Sequence, residues 1–119
     1  MELQTVVPIL RMFDERLAKQ FYMDYLGFRL DWEHRFEEGM PLYMQLSRDG
    51  IRLHLSEHHG DCTPGGAVRI EMEGIAAFHQ ELSGRAYSYA RPGLETTPWG
   101  TTELDVKDPF DNRLVFSER

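Results

Sequence analysis

Several aromatic side chains occur at positions where packing into a core is unfavourable. Trp99 lies between a proline and a glycine, where a loose segment leads into a strand, and Trp32 lies among charged residues of another predicted strand. Tryptophans in such places either cover a core or offer a flat surface on which a heteroaromatic ligand stacks. Phe36 and Tyr43 could complete an aromatic groove. We therefore predict that these four residues bind a planar ligand.

Carboxylates on the predicted strands offer a second kind of chemistry. Glu71, Glu103 and Asp105 occupy alternating positions, so they are expected to face one open side of a sheet or its rim. Paired carboxylates can act as general acid and base, or they can neutralise a bound cation. They can equally be the polar side of half-exposed strands. These three alternatives remain open, and the net charge of −7 is compatible with a cationic ligand.

His54 lies between Leu53 and Leu55, which alternate onto a buried strand face. Its imidazole is therefore predicted to point the opposite way, into an open cleft. There it is either a half-buried histidine satisfied by a neighbouring acid or a polar contact at the floor of a ligand cleft. The adjacent His58 and His59 resemble a metal cluster by composition, but they fall in a polar, glycine-rich linker and are predicted to be solvated.

Motifs for covalent catalysis and nucleotide binding are missing from the sequence. No GxSxG elbow, GxGxxG loop or P-loop occurs. Cys62 is the single cysteine, so it cannot form an internal disulfide, and it lies in the linker without a helix N-terminus to activate it.

The composition is that of one globular domain, with 119 residues of which 41% are hydrophobic. Thirteen basic against twenty acidic residues argue against binding to nucleic acid. No apolar run approaches the roughly 20 residues of a membrane span, and the N-terminus does not resemble a signal peptide. We therefore expect a cytoplasmic protein without a nucleic-acid or membrane partner.

The first half of the chain is predicted to form a βαβββ unit. Asp14 is an N-cap candidate for an amphipathic helix that ends at Gly27. The predicted strands around this helix are Thr5–Met12, Phe28–Phe36, Pro41–Ser47 and Ile51–Ser56.

The second half repeats this order of elements. A predicted helix, Ile75–Leu82, follows a first strand and precedes a loose, proline-containing segment, Tyr87–Pro98. The predicted strands of this half are Ala67–Met72, Thr101–Val106 and Arg113–Ser117. We interpret residues 1–119 as a single domain of two duplicated modules, about 5–57 and 66–118. The fold class is α+β, with the sheets curled into a cup.

Three groups of residues resemble the vicinal oxygen chelate superfamily, which includes glyoxalase I, extradiol dioxygenases, fosfomycin-resistance enzymes and bleomycin-resistance proteins. They are the Val-Pro start at Val7, the FY-x(3)-LGF motif from Phe21 to Phe28, and the turn Asp108–Asn112. The triplet Pro98–Gly100 is most similar to the bleomycin-resistance branch. Asp111 replaces the glycine usual in the family's turn, and aspartate tolerates the left-handed conformation well.

This resemblance implies paired βαβββ modules and a homodimer that shares two binding clefts. The strand Thr5–Met12 resembles one that is exchanged between subunits in bleomycin-binding relatives. Trp99 resembles a wall of the drug groove in that branch, against which a planar bithiazole stacks.

The resemblance also implies four metal-ligand positions, two from each module. They fall on Val7 or Pro8, on His54, on Ala67 or Val68, and on Val115. Only His54 can donate to a metal, so no metal or other cofactor is expected.

Two functions from different classes follow. The favoured hypothesis is a non-catalytic, bleomycin-resistance-type protein that sequesters a planar cationic drug or a similar small molecule at a dimer interface. Its ligand-binding residues would be Trp99, Trp32, Phe36, Tyr43, His54, Glu103 and Asp105. The alternative is a metal-dependent glyoxalase or dioxygenase of the same superfamily, with His54, Glu103 and His58 or His59 as ligands.

Overall fold

The chain forms two four-stranded mixed sheets, each accompanied by one helical segment. The computed structural model describes residues 1–87 and 91–119. The first module contains β1 (Ile9–Arg11), α1 (Glu15–Lys19), β2 (Arg29–His34), β3 (Tyr43–Arg48) and β4 (Ile51–Ser56). The second contains β5 (Ala67–Glu71), α2 (Ile75–Ser83), β6 (Leu94–Thr96), β7 (Thr102–Lys107) and β8 (Arg113–Glu118).

Both sheets have the same topology. The strand order is β1-β4-β3-β2 in the first sheet and β5-β8-β7-β6 in the second. In each sheet the opening strand pairs in parallel with the last strand of its module, and the other pairs are antiparallel. The predicted α+β fold of two βαβββ modules is therefore confirmed.

The first helical segment begins where the sequence predicts. Asp14 is the N-cap, because its Oδ1 accepts a hydrogen bond of 2.8 Å from the backbone N–H of Leu17. After α1 the backbone continues as a π-helix over Gln20–Tyr25, in which the N–H of Leu26 donates to the carbonyl of Phe21. Gly27 then adopts a φ of 78°, as a helix-terminating glycine commonly does.

Alternation along the central strands separates a buried face from an open face. In β3, Met44 and Leu46 are fully buried, whereas Tyr43 and Gln45 are only partly covered. In β4, Leu53 and Leu55 are buried on the same side as those two residues. The helical segments and the buried faces of both sheets form one hydrophobic core. We call the other side of the first sheet, which carries Tyr43, Gln45 and His54, its open face.

A buried polar cluster joins the two modules through the turn before β8. The carboxylate of Asp108 accepts hydrogen bonds from the Tyr22 hydroxyl at 2.6 Å and from the Asn112 side-chain amide at 2.8 Å. It also accepts two backbone N–H groups, those of Phe110 and Asn112, at 2.8 Å each. Asn112 in turn donates to the carbonyl of Arg11 in the first module. The turn motif thus fastens the second module to the first strand and first helix.

The largest differences from the predicted strands are at β1 and β6. The first strand begins at Ile9 rather than Thr5, and residues 1–6 are exposed. The predicted loose segment from Tyr87 contains the short strand β6, and its residues 88–90 lie outside the described part of the chain. Asp111 adopts a φ of 72°, which confirms the left-handed turn expected there. In the described part of the chain, no helix has the length and hydropathy needed to cross a membrane.

Candidate ligand-binding surface

The strand register places three predicted site residues together on the open face of the first sheet. His54 of β4 lies opposite Gln45 of β3, which lies opposite Trp32 of β2. Tyr43 is two positions from Gln45 along β3, and therefore on the same face. A β-bulge between Leu30 and Trp32 shifts the pairing by one residue and determines which face Trp32 occupies.

These side chains form an aromatic shelf, which we define as Trp32, Tyr43 and His54. The rings of Trp32 and Tyr43 are stacked, with centroids 6.0 Å apart and an interplanar angle of 10°. The His54 ring meets both edge-on, at 5.4 Å from Trp32 and 5.1 Å from Tyr43. Trp32 is 44% exposed, so the shelf presents a flat aromatic surface to solvent. Such a surface suits stacking of a planar ligand.

A chain of hydrogen bonds holds the shelf in place. The hydroxyl of Tyr43 lies 2.6 Å from His54 Nδ1, and His54 Nε2 lies 2.9 Å from Gln45 Oε1. The amide nitrogen of Gln45 donates to Asp31 at 3.0 Å, and Ser47 donates to the same carboxylate at 2.9 Å. Because Gln45 Oε1 can only accept, His54 carries a proton on Nε2. In the neutral imidazole, Nδ1 then accepts from the Tyr43 hydroxyl.

The environment of the shelf favours the same protonation states. Burial, and secondarily the positive charge of Arg52, lower the pKa of His54. Burial also raises the pKa of Tyr43, with smaller contributions from Asp61 and Cys62, so its hydroxyl stays a donor. Hydrogen bonds from Gln45, Ser47 and Arg29 lower the pKa of Asp31 and keep it a carboxylate. The hydrogen-bond chain is therefore fixed in one direction at neutral pH.

The lowered pKa of His54 predicts a loss of stability in mild acid. Above about pH 6.5 the imidazole is neutral in both the folded and the unfolded chain and contributes no pH dependence. Below that value the unfolded chain binds the proton first, so the free energy of unfolding falls until the pH reaches the lower folded pKa. We expect urea unfolding between about pH 7.5 and 5 to show a shallower decline in His54→Gln than in the parent.

His59 provides the matched control for this prediction, since it is exposed and lies outside the shelf. His59→Gln should keep the parental pH dependence. A decline in His54→Gln as steep as in the parent would contradict the prediction.

Phe36 lies beyond the end of β2, away from the stacked rings. It is 80% exposed and packs edge-on against His34, with centroids 5.6 Å apart. His34 pairs with Tyr43 across the strands, so Phe36 extends the aromatic surface at its margin. The structure thus places three of the four predicted aromatic residues along the first module.

Trp99, the fourth, belongs to the second module. It is 63% exposed and lines a groove of about 1290 Å³ together with Ile70 and Phe116. Arg48, the last residue of β3, is one of the first-module residues that line this groove, and it pairs with Glu81 of α2 at 2.8 Å. Trp99 and the aromatic shelf therefore lie on different modules of one chain.

The two predicted acidic site residues, Glu103 and Asp105, are both ion-paired on the second sheet. Glu103 accepts a hydrogen bond of 2.7 Å from Arg69, and that interaction above all lowers its pKa. Asp105 accepts a hydrogen bond of 2.7 Å from Arg113. Of the three alternatives for these carboxylates, the pairing favours the polar side of half-exposed strands, because each charge is already balanced.

The side chains present do not fit a metal centre of the expected kind. Two metal ligands from one module must lie side by side on neighbouring strands. The residue beside His54 on β1 is Ile9, rather than Val7 or Pro8, and an isoleucine side chain cannot bind a metal. In the second module the residue opposite Val115 is Arg69, whose cation repels a metal ion. Within residues 1–87 and 91–119, no three His, Cys, Asp or Glu side chains are grouped so that they could hold one.

Sequence reasoning missed Gln45 and Asp31 as parts of this surface. The signal for Gln45 was the alternation of β3, which places it on the face opposite Met44 and Leu46. A bulge in β2 brings Asp31 beside Gln45 and Ser47. This bulge could not be predicted, because one extra residue in a strand has no characteristic residue type.

Comparison with known proteins identifies the family of the chain. A model described as glyoxalase superfamily protein matches residues 1–119. No curated protein is significantly similar in sequence. The similar solved structures include a bleomycin-binding protein from Streptomyces verticillus complexed with copper(II)-bleomycin, at 28% identity and a TM-score of 0.72, covering 100% of this chain and 98% of that one.

Two further structures share the fold at lower identity. The antibiotic-binding protein TnmS3 from Streptomyces sp. CB03234 has 20% identity and a TM-score of 0.73, covering 99% of this chain and 98% of that one. A bleomycin resistance determinant encoded on the transposon Tn5 has 20% identity and a TM-score of 0.72, covering 98% of each chain.

Proposed function

The chain belongs to the glyoxalase superfamily, and we propose that it is a non-catalytic cytoplasmic binding protein that sequesters a planar drug or a similar small molecule. The observation that carries this proposal is the aromatic shelf. The parallel rings of Trp32 and Tyr43 stack on an open sheet face, where a hydrogen-bond chain through Tyr43 and His54 holds them, and this gives a preorganised surface for a planar ligand. Holding a ligand on such a surface needs no bond to be made or broken.

Bleomycin is the first ligand to test, because the similar structures include proteins described as binding it. The net charge of −7 favours a cationic ligand only at long range. Locally, Glu103 and Asp105 are paired with arginines. The proposal therefore rests on stacking of the ligand's planar part and not on the ligand's charge.

We also propose that the binding protein is a homodimer. The first six residues extend from the fold with Leu3 and Val6 about nine-tenths exposed. Exposed apolar side chains on an extended segment suit pairing with a second copy. Because Ile9–Arg11 already pairs with β4 of its own chain, the exchanged part would be the segment before Pro8. In the dimer, Trp99 of one subunit could then line the cleft above the aromatic shelf of the other.

Sedimentation at micromolar concentration should show a dimer for the parent. A double variant, Leu3→Ser with Val6→Ser, should shift it toward the monomer, because it removes the apolar contacts of the arm. Ile51→Ser changes an apolar side chain outside the arm and serves as the control. A stable parental monomer would refute the dimer.

The binding function is separated from the metal-dependent alternative by one experiment. Protein purified without an affinity tag is dialysed against a chelator and analysed for metals. It is then titrated with copper-free bleomycin, and the bound drug is recovered by denaturing the protein. We expect undiminished binding and chemically unchanged drug. Stoichiometric metal that survives dialysis, or a modified drug, would instead support an enzyme.

A further inference from the structure

Arg11 carries a buried positive charge to which the described residues offer no hydrogen-bond acceptor at Nε or Nη1. The residue is 9% exposed, and its Nε and Nη1 atoms are enclosed without any hydrogen-bond acceptor among the residues that the structure describes. The guanidinium lies over the ring of Phe13, whose centroid is 4.9 Å from the guanidinium carbon. Buried charges in proteins are normally paired and hydrogen-bonded, because desolvation of an unpaired charge is costly.

The carboxylates near Arg11 are already engaged elsewhere. Asp108 accepts four hydrogen bonds, from Tyr22, Phe110 and Asn112. Asp61 accepts a hydrogen bond of 2.6 Å from Ser56, the residue opposite Arg11 in the sheet. No carboxylate in the described ranges 1–87 and 91–119 forms an ion pair with the guanidinium. The described residues 1–87 and 91–119 therefore supply no anion to the Arg11 guanidinium.

Arg11 lies on the same sheet face as the aromatic shelf. It pairs with Ser56 of β4, and Ser56 pairs with Tyr43 of β3, so the three residues form one cross-strand row. Neighbouring strands are about 4.8 Å apart, which puts the backbone of Arg11 about 10 Å from that of Tyr43. A small molecule is long enough for that distance, but Ser56 between the two residues is fully buried under the linker, which such a ligand must displace.

We propose that Arg11 is an anion subsite for the oxyanion, a carboxylate or a phosphate, of a ligand whose planar ring stacks on the aromatic shelf. This inference rests on the proposed binding function and narrows its ligand class. The edge of the planar guanidinium can donate two parallel hydrogen bonds to two oxygens of such a group. Phe13 covers the face of the guanidinium and leaves that edge free to donate.

Access to that edge lies beside the linker that contains Cys62. The Arg11 charge is close enough to lower the pKa of the Cys62 thiol, although burial raises that pKa more. The linker is tied to this part of the sheet by two hydrogen bonds of the Ser56 hydroxyl, one to Asp61 and one from the backbone N–H of His58, so an anion reaches Arg11 by displacing the linker.

The direct test compares quinoline-3-carboxylate with its neutral amide, quinoline-3-carboxamide, by calorimetry. The parent should bind the carboxylate about tenfold or more tightly than the amide, as expected for charge-assisted hydrogen bonds. In Arg11→Met the two affinities should become equal, with that of the amide unchanged. Equal affinities in the parent would overturn the anion subsite and leave the shelf intact, whereas failure of the amide to bind would count against the shelf.

Thermal stability provides an independent readout with inorganic phosphate as the probe. Millimolar phosphate should raise the Tm of the parent by several degrees and leave that of Arg11→Met unchanged. Without phosphate, Arg11→Met should melt at the same temperature as the parent or higher, because methionine fills the site without an unpaired charge. A lower Tm for Arg11→Met, or its dissociation into monomers, would show that the guanidinium pairs within the protein and would refute the proposal.

Discussion

Replacing Asp108 by alanine is expected to lower the free energy of unfolding by about 3–5 kcal/mol, because it breaks a buried hydrogen-bond network. The substitution leaves four buried donors without an acceptor, two of them backbone N–H groups and two from the side chains of Tyr22 and Asn112. It also releases the contact through which the second module is fastened to the first strand. Urea unfolding monitored by circular dichroism measures the effect.

Asp108→Asn should recover part of that loss, because its amide oxygen still accepts the two backbone N–H groups. The matched control is Asp24→Ala, an exposed carboxylate on the helical segment, which should change stability by no more than about 0.5 kcal/mol. If Asp108→Ala were as stable as Asp24→Ala, the polar cluster would not join the modules as described.

Replacing Trp32 by alanine is expected to weaken binding of a planar ligand by about 1–3 kcal/mol, which is roughly 5- to 150-fold in Kd. Trp32 forms half of the stacked surface, and its loss exposes one side of Tyr43 and His54. Because the side chain is 44% exposed, the free energy of unfolding should change far less than for a core tryptophan. Calorimetric titration with bleomycin measures the first effect and urea unfolding the second.

Trp99→Ala is the comparison variant. Because Trp99 is 63% exposed, this variant should also leave stability nearly unchanged, whereas a loss of about 3–5 kcal/mol would show that Trp99 is a lid over the core. If Trp99 lines the same cleft in a dimer, its loss weakens binding as well. If the Kd for the drug were unchanged in Trp32→Ala but increased in Trp99→Ala, the binding site would be the groove of the second module and not the aromatic shelf.

The fold was predictable because its signals are local and repeated. The Asp14 cap, the spacing of Phe21 and Tyr25, and the alternation of β3 and β4 each specify one element, and the second half repeats their order. The strand β6 was not predictable, since three exposed residues in a segment containing Pro and Gly produce no hydrophobic pattern. The π-helix was not predictable either, because it shares the apolar spacing of an α-helix.

The candidate site was predictable only in part, because pairing register and charge balance depend on three-dimensional neighbours. Alternation correctly placed His54 opposite the buried leucines, but it could not show that Gln45 and Tyr43 hold its two nitrogens. The acidic residues Glu103 and Asp105 looked free in the sequence, whereas their partners Arg69 and Arg113 come from neighbouring strands.

The measurement that tests the central claim most directly is bleomycin-induced quenching of tryptophan fluorescence in two single-tryptophan proteins. The chain has two tryptophans, so Trp99→Phe leaves Trp32 as the sole emitter and Trp32→Phe leaves Trp99. If the ligand stacks on the aromatic shelf, saturable quenching occurs in Trp99→Phe, with the same Kd as calorimetry gives for that variant. If calorimetry shows that the drug is bound but the emission of Trp32 stays unchanged, the claim that the shelf is the binding surface is contradicted.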